Sequence, residues 1–219
     1  GAGDKAAALA VDAFGDSIQS DESSEADASG SRSQEEQRLV RGILAAGAAL
    51  AEFNRERSPD TRAGVSFVAS MLLPAGRLIV ANLGHAGAAI LRRGKIAAHF
   101  PAQSFAASQG GVLGARHARF GLDFPLQFLG QDGPLDPLVR TYYAQSDDQL
   151  VLFTEGLVAG GAEVLSQAAL LLEADRESRG SGEAPGERYE LMAKELLELS
   201  RSSQAKPRNH SVILVDLGL

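Results

Sequence analysis

Residues 65–100, VSFVASMLLPAGRLIVANLGHAGAAILRRGKIAAHF, read as strands broken by short turns. VSFVASMLL (65–73) is β-branched and apolar, PAG (74–76) turns the chain, and RLIVANL (77–83) runs back. AAILRR (88–93) and KIAAHF (95–100) flank Gly94 as a hairpin. Strands joined by so few residues pair antiparallel, because a parallel pair needs a crossover of about a dozen residues. Further along, LVRTYYA (138–144) and QLVLFTE (149–155) are strands around the polar turn Gln145–Asp148. HSVILVDL (210–217) is a last apolar strand after Pro207.

Helical periods lie before and after this block. Residues 2–19 are Ala-rich, with Leu9, Val11, Phe14 and Ile18 roughly on one face. Gln34 to Arg57 carries the stripe Leu39, Ile43, Leu44, Leu50 and Phe53, and SPDTRAG (58–64) ends it. Residues 161–174 and 189–201 are two more helices. The acidic, Ser-rich stretch 20–33 and the polar stretch 175–187 lack apolar residues to offset ordering entropy, so both read as flexible loops. Segment 101–137, rich in Gly, Pro and Gln and weakly periodic, reads as loop with room for one short helix. Strands that neighbour one another, with helices grouped at both ends, predict an α+β fold. The expectation is a single domain over 1–219. It has two packed antiparallel sheets, helices 2–19 and 34–57 on one side, and helices 161–174 and 189–201 on the other. A doubly wound parallel sheet fits badly, since β and α do not alternate.

Composition narrows the function. In 219 residues there are 21 basic and 28 acidic side chains, a net charge of −7, and no cysteine. The acidic balance argues against a nucleic-acid partner, because phosphate contacts need clustered Lys and Arg. The lack of cysteine excludes a disulfide framework, a thiolate nucleophile and sulfur-ligated zinc. No apolar run approaches the ~18 residues of a membrane span. These features predict a cytoplasmic protein with no membrane association. A Walker loop, a GxSxG elbow, HExxH and CxxC are all absent from the sequence.

Chemistry-bearing residues are therefore sought at strand ends, where loops stand on a rigid base. In ANLGHAG (81–87) a strand stops at Gly84 and His85 follows; the plainest reading is a tight hairpin with His85 at its tip. LFTEGL (152–157) delivers Glu155 directly before Gly156, a carboxylate placed either as a hard-metal ligand or as a helix cap. PRNHSVILV (207–215) sets Arg208 and Asn209 just ahead of the terminal strand. His99 reads as an exposed strand residue and His117, between Arg116 and Arg119, as a solvated loop residue. Asp132-Gly133, followed by Pro134, reads as a turn.

These three places, in this order, resemble the metal-dependent protein phosphatases of the 2C type (PPM), including their bacterial branches. RLIVANLGHAGAAILRRGKI is similar to the family's strand, AGH-like turn and Gly-containing hairpin. SDDQLVLFTEGL is similar to its polar turn, apolar strand and Ser/Thr-Asp-Gly, with Glu155 in the Asp position. RNHSVILV resembles its closing Asp-Asn and strand, with Arg208 in the Asp position and Asn209 retained. AGVSFVASML is similar to its Gly-Thr-Thr strand, and GAGDKAAALAVDAF to the helix after its first metal loop. The clear resemblance covers 64–99, 147–157 and 208–217.

The resemblance implies a sandwich of two antiparallel sheets flanked by helices. It also implies a reaction in which two metal ions, Mn or Mg, activate a water against a phosphorylated Ser or Thr. The departures imply that the site is vestigial. The first metal loop would fall at or before Gly1, Glu155 is one methylene longer than Asp, and Arg208 puts a permanent cation where a metal would lie. The expected function is a degenerate phosphatase domain (a pseudophosphatase) kept as a signalling or regulatory module that binds a protein partner. On this reading it has no catalytic residue and no cofactor. Its vestigial site comprises Gly84, His85, Gly156, Arg208 and Asn209, and Glu155 is a metal ligand only if a metal binds. Two alternatives stay open: an active metal-dependent Ser/Thr phosphoprotein phosphatase, and an unrelated α+β interaction domain. The sequence does not give the oligomeric state.

Overall fold

A computed structural model describes residues 2–20, 32–110, 113–114, 116, 123–158, 163–178, 185–202 and 211–218. They group into two compact units, one from the described parts of 1–85 and 102–142, the other from 86–101 and 143–219.

The first unit begins with helices α1 (Ala2–Ser20) and α2 (Gln34–Asn54). Ser33 starts α2 with a capping box: its hydroxyl accepts from the Glu36 N–H at 3.3 Å, and the Glu36 carboxylate accepts from the Ser33 N–H at 2.9 Å. Strands β1 (Phe67–Leu72), β2 (Arg77–Leu83) and β5 (Leu138–Tyr143) form an antiparallel sheet in the order β1-β2-β5. Phe67 pairs with Leu83 and Leu72 with Leu78. Period-two alternation turns Phe67, Ala69, Ile79, Ala81 and Leu83 into one core with Leu39, Ile43, Ala46 and Leu50 of α2. Each fully buried Leu or Ile here contributes about 1.5–3 kcal/mol. The first turn of α2 is tied to the sheet by Arg77 donating to Glu35 at 2.6 Å and Thr141 donating to Glu36 at 2.8 Å. Short helix α3 (Phe105–Gln109) lies in the 101–137 segment, as its composition allows.

The second unit is an antiparallel sheet in the order β4-β3-β6-β7, from β3 (Gly87–Arg92), β4 (Lys95–Phe100), β6 (Gln149–Phe153) and β7 (Val212–Asp216). Arg93 (φ 49°) and Gly94 (φ 71°) make the two-residue turn between β3 and β4. Left-handed backbone at both positions is what a type I′ hairpin demands. The β3–β4 register slips between Ile90 and Leu91, a bulge. Helices α4 (Glu155–Val158), α5 (Glu163–Ser178) and α6 (Pro185–Ser202) complete the unit. Leu165, Ala168, Leu172, Met192 and Leu196 cluster with Ala89, Leu91, Val151 and Phe153 of the sheet. Among the described residues no helix is long and apolar enough to cross a membrane.

The α+β class, the two antiparallel sheets and the flanking helices stand as expected. Two junctions read as hairpins are not hairpins. β2 and β3 belong to different sheets, as do β5 and β6, so the chain changes sheet at residues 84–86 and again at 144–148. A short connection permits a hairpin but does not compel one when both strands already have other partners. Helices α5 and α6 also reach into the stretch read as flexible, taking Asp175–Ser178 and Pro185–Glu187, while 179–184 lie outside the described residues. Of the stretch 20–33, Ser20 ends α1 and Ser33 caps α2; 21–31 lie outside the described residues.

Turn Gln145–Asp148 does more than reverse the chain. The Asp148 side chain is fully buried and takes two charge-assisted bonds from Arg92, Nε at 2.6 Å and Nη2 at 2.8 Å. It also accepts the Gln145 N–H at 2.8 Å. Removing Asp148 takes two charge-assisted bonds from the partly exposed Arg92 and leaves the Gln145 N–H without its carboxylate. Asp148→Ala is therefore expected to destabilise the protein by about 1.5–3 kcal/mol, read as a drop in the urea midpoint. Lys194→Ala, which removes an exposed pair to Glu190, is expected to cost under about 1 kcal/mol. Equal losses in the two variants would refute the assignment.

Candidate functional site

Gly84 and His85 close β2 in the first unit. Gly84 has φ +77°, and a Cβ there would stand 2.5 Å from Ser66 Oγ and 2.8 Å from the Gln127 carbonyl oxygen. The Gly84 carbonyl accepts the Gln103 N–H at 2.8 Å, and Ser66 Oγ accepts the His85 N–H at 2.9 Å. His85 is largely buried, its Nε2 lying 3.8 Å from Asp123 Oδ1. The other demand on Asp123 is structural, since its Oδ1 accepts the Ala106 N–H of α3 at 2.8 Å. Ser66, Gln103 and Asp123 thus belong to the surroundings of His85, and sequence reasoning missed all three. Ser66 sits inside an apolar strand run and Asp123 in a segment without periodicity, so neither carried a signal.

Glu155 and Gly156 begin α4 at the end of β6 in the second unit. Three strand ends lie side by side along this edge of the sheet, because Gly87 of β3 pairs with Phe153 and Phe153 pairs with Val212 of β7. Thr154 fastens the edge: its N–H donates to the Ser211 carbonyl at 3.1 Å and its hydroxyl accepts the Ser211 N–H at 2.9 Å. From behind, the buried Ser200 hydroxyl of α6 is 2.9 Å from the Gly156 carbonyl oxygen and 3.1 Å from that of Leu157. Glu155 therefore starts a helical turn held at both ends, in a place where apolar patterning gave only a strand.

Arg208, Asn209 and His117 lie outside the described residues. His99 is exposed on β4 as expected, with its ring stacked on Phe153 at a centroid distance of 6.3 Å. Asp132 sits in an exposed bend and pairs with Arg62 at 3.0 Å, in keeping with a turn. Among the described residues no three His, Asp or Glu side chains gather as a metal-binding group. Two hard dications need several oxygen ligands and the charge of several carboxylates. The described donors do not fit such a pair.

The contacts at Gly84 make a paired prediction. Gly84→Ala puts a Cβ against a backbone oxygen in left-handed backbone and is expected to cost about 1–3 kcal/mol. Gly15→Ala, in α1 with open space around the new methyl, is expected to add about 0.5–1 kcal/mol. Thermal melts of the two variants should move in opposite directions, and a neutral Gly84→Ala would remove the steric argument.

No protein-family model and no curated protein sequence matches the chain. Solved structures do. The serine/threonine phosphatase PstP/Ppp of Mycobacterium tuberculosis superposes with a TM-score of 0.72 at 18% identity, covering 100% of this chain and 83% of that one. The PPM Ser-Thr phosphatase MsPP of Mycobacterium smegmatis, in complex with cacodylate, gives 0.70 at 17% identity, covering 96% and 81%. The PstP catalytic domain with two manganese ions gives 0.63 at 16% identity, covering 96% and 80%. At these identities the match speaks for architecture: the chain has the fold of the bacterial PPM serine/threonine phosphatases.

Proposed function

We propose that this chain is a degenerate phosphatase-fold domain, a cytoplasmic signalling or regulatory module that binds a protein partner and works without a metal cofactor. The observation that carries the reading is the fastened edge of the second sheet. Thr154 and Ser211 are locked together, Glu155 follows the first, and Arg208 and Asn209 come three and two positions ahead of the second in sequence. A guanidinium keeps its positive charge at every accessible pH, so Arg208 opposes a dication where a carboxylate would attract one. Glu155 supplies one negative charge, far short of what two dications ask for. In the second unit the proposed vestigial site draws on Gly156, Arg208 and Asn209, with Glu155 as its acidic member; Gly84 and His85 are proposed as the first unit's vestigial residues. The fold match argues against the unrelated interaction domain.

The alternative, an active metal-dependent phosphoprotein phosphatase, draws on the retained Glu155 carboxylate and on the manganese-bound neighbour. Turnover of a generic aryl phosphate with excess manganese or magnesium separates the two. The expected result is background activity and no saturable heat on manganese titration. Metal-dependent turnover that Glu155→Ala abolishes would install the active enzyme instead. Arg208→Asp with Glu155→Asp tests the charge argument, since it is expected to raise manganese affinity above that of the unmodified chain.

A further inference from the structure

Among the described residues His85 is the enclosed histidine: its side chain is 12% exposed, whereas His99 lies exposed on β4. The Asp123 carboxylate that faces it is 22% exposed, with Oδ1 3.8 Å from Nε2. That is an ion-pair distance, longer than a hydrogen bond. Asp123 belongs to a small ladder. The Phe105 N–H donates to the Phe124 carbonyl at 2.9 Å, the Leu126 N–H to the Gln103 carbonyl at 2.9 Å, and Ser104 bridges Pro125. Asp123 Oδ1 closes the end of this ladder by accepting the Ala106 N–H at 2.8 Å. The ladder meets the turn after β2 through the Gln103 N–H, 2.8 Å from the Gly84 carbonyl oxygen, and through Asp123 against His85.

These surroundings are rich in acceptors and poor in cations. Residues 63–66, 102–110 and 123–128, which supply the contacts of the turn, contain no lysine or arginine, and Asp123 is their only ionisable side chain. Asp136 meets Gln103 through its backbone carbonyl and turns an 81% exposed carboxylate to Arg32, while Arg116, beyond α3, is exposed. The Gln103 side-chain oxygen is buried and has no hydrogen bond among the described residues. A neutral imidazole offers one N–H, and an imidazolium offers two. We infer that His85 and Asp123 form a proton-operated latch, which holds the 103–106/123–126 ladder to the turn after β2 when His85 is protonated and eases it when His85 is neutral. A carboxylate is already ionised where imidazole titrates, so one proton converts a weak contact into an ion pair. The pair contributes fully below that range, and its contribution fades as pH rises through about 6–7. Enclosure opposes the charge, but both side chains keep some contact with water, which holds that cost below the gain from the facing carboxylate. The latch does not rest on the phosphatase reading.

Hydrogen exchange of the full chain between about pH 5 and pH 8 tests this, with protection factors dividing out the intrinsic pH dependence of exchange. The Phe105, Ala106 and Leu126 amides should be about tenfold better protected at the acid end than at the alkaline end, while the β1–β2 amides stay level. His85→Gln, neutral throughout, should keep the ladder at its looser level at every pH. Asp123→Asn retains an oxygen for the Ala106 N–H and removes the charge, so it too should abolish the step. A histidine that merely fills space would give protection indifferent to pH. Level protection in the unmodified chain, a step of the opposite sign, or a step that survives either substitution would overturn the latch. If one variant fails to fold, the unmodified chain and the other variant still decide.

Discussion

A carboxylate cut off from water has to be met by charge and by hydrogen bonds, and Asp148 meets both needs through Arg92 and the Gln145 N–H. The pair stands at the entry to β6, the strand that holds β3 on one side and β7 on the other. All five residues of β6 are buried, so the strand has no polar surface of its own with which to correct a slipped register. A slip by one residue would exchange its two faces, moving Val151 and Phe153 out of the helix-covered core. The ion pair at one end and the Thr154–Ser211 clasp at the other leave a single alignment.

That alignment is what gives the far end of β6 its chemical character. Glu155 is delivered where the ends of β3, β6 and β7 meet, and Ser200 reaches from α6 to hold the turn that follows. The turn that carries Glu155 is therefore fixed from two sides. Fold and site are separate questions here. The same antiparallel sheets can display a metal-binding carboxylate set or a charge-neutralised remnant, because strand pairing is indifferent to the residues beyond the strand ends.

Much of the fold was legible because burial leaves a period. RLIVANL and QLVLF are apolar runs bounded by turn residues, and Arg93-Gly94 is a turn by composition alone. What was not legible depended on partners distant in sequence. Nothing local distinguishes a three-residue hairpin at Gly84–Ala86 from a change of sheet. The difference lies in Ser66 accepting the His85 N–H and in the Gln103 N–H donating to the Gly84 carbonyl. Likewise Asp147-Asp148 looks like any polar turn, yet one of the two is wholly buried on Arg92. Of the site, Gly84 was readable from its glycine and Glu155 from the strand that ends before it. The roles of Ser66, Asp123 and Ser200 emerge only once strands and helices are assembled.

The two edges of the second sheet are not alike. On the β4 side the register slips at Ile90/Leu91 and the strand opens on Lys95, both of which discourage a flat neighbour. The β7 side has neither. Among the described residues, the bulge and Lys95 therefore guard one side of this sheet against strand addition and leave the register of the other side regular.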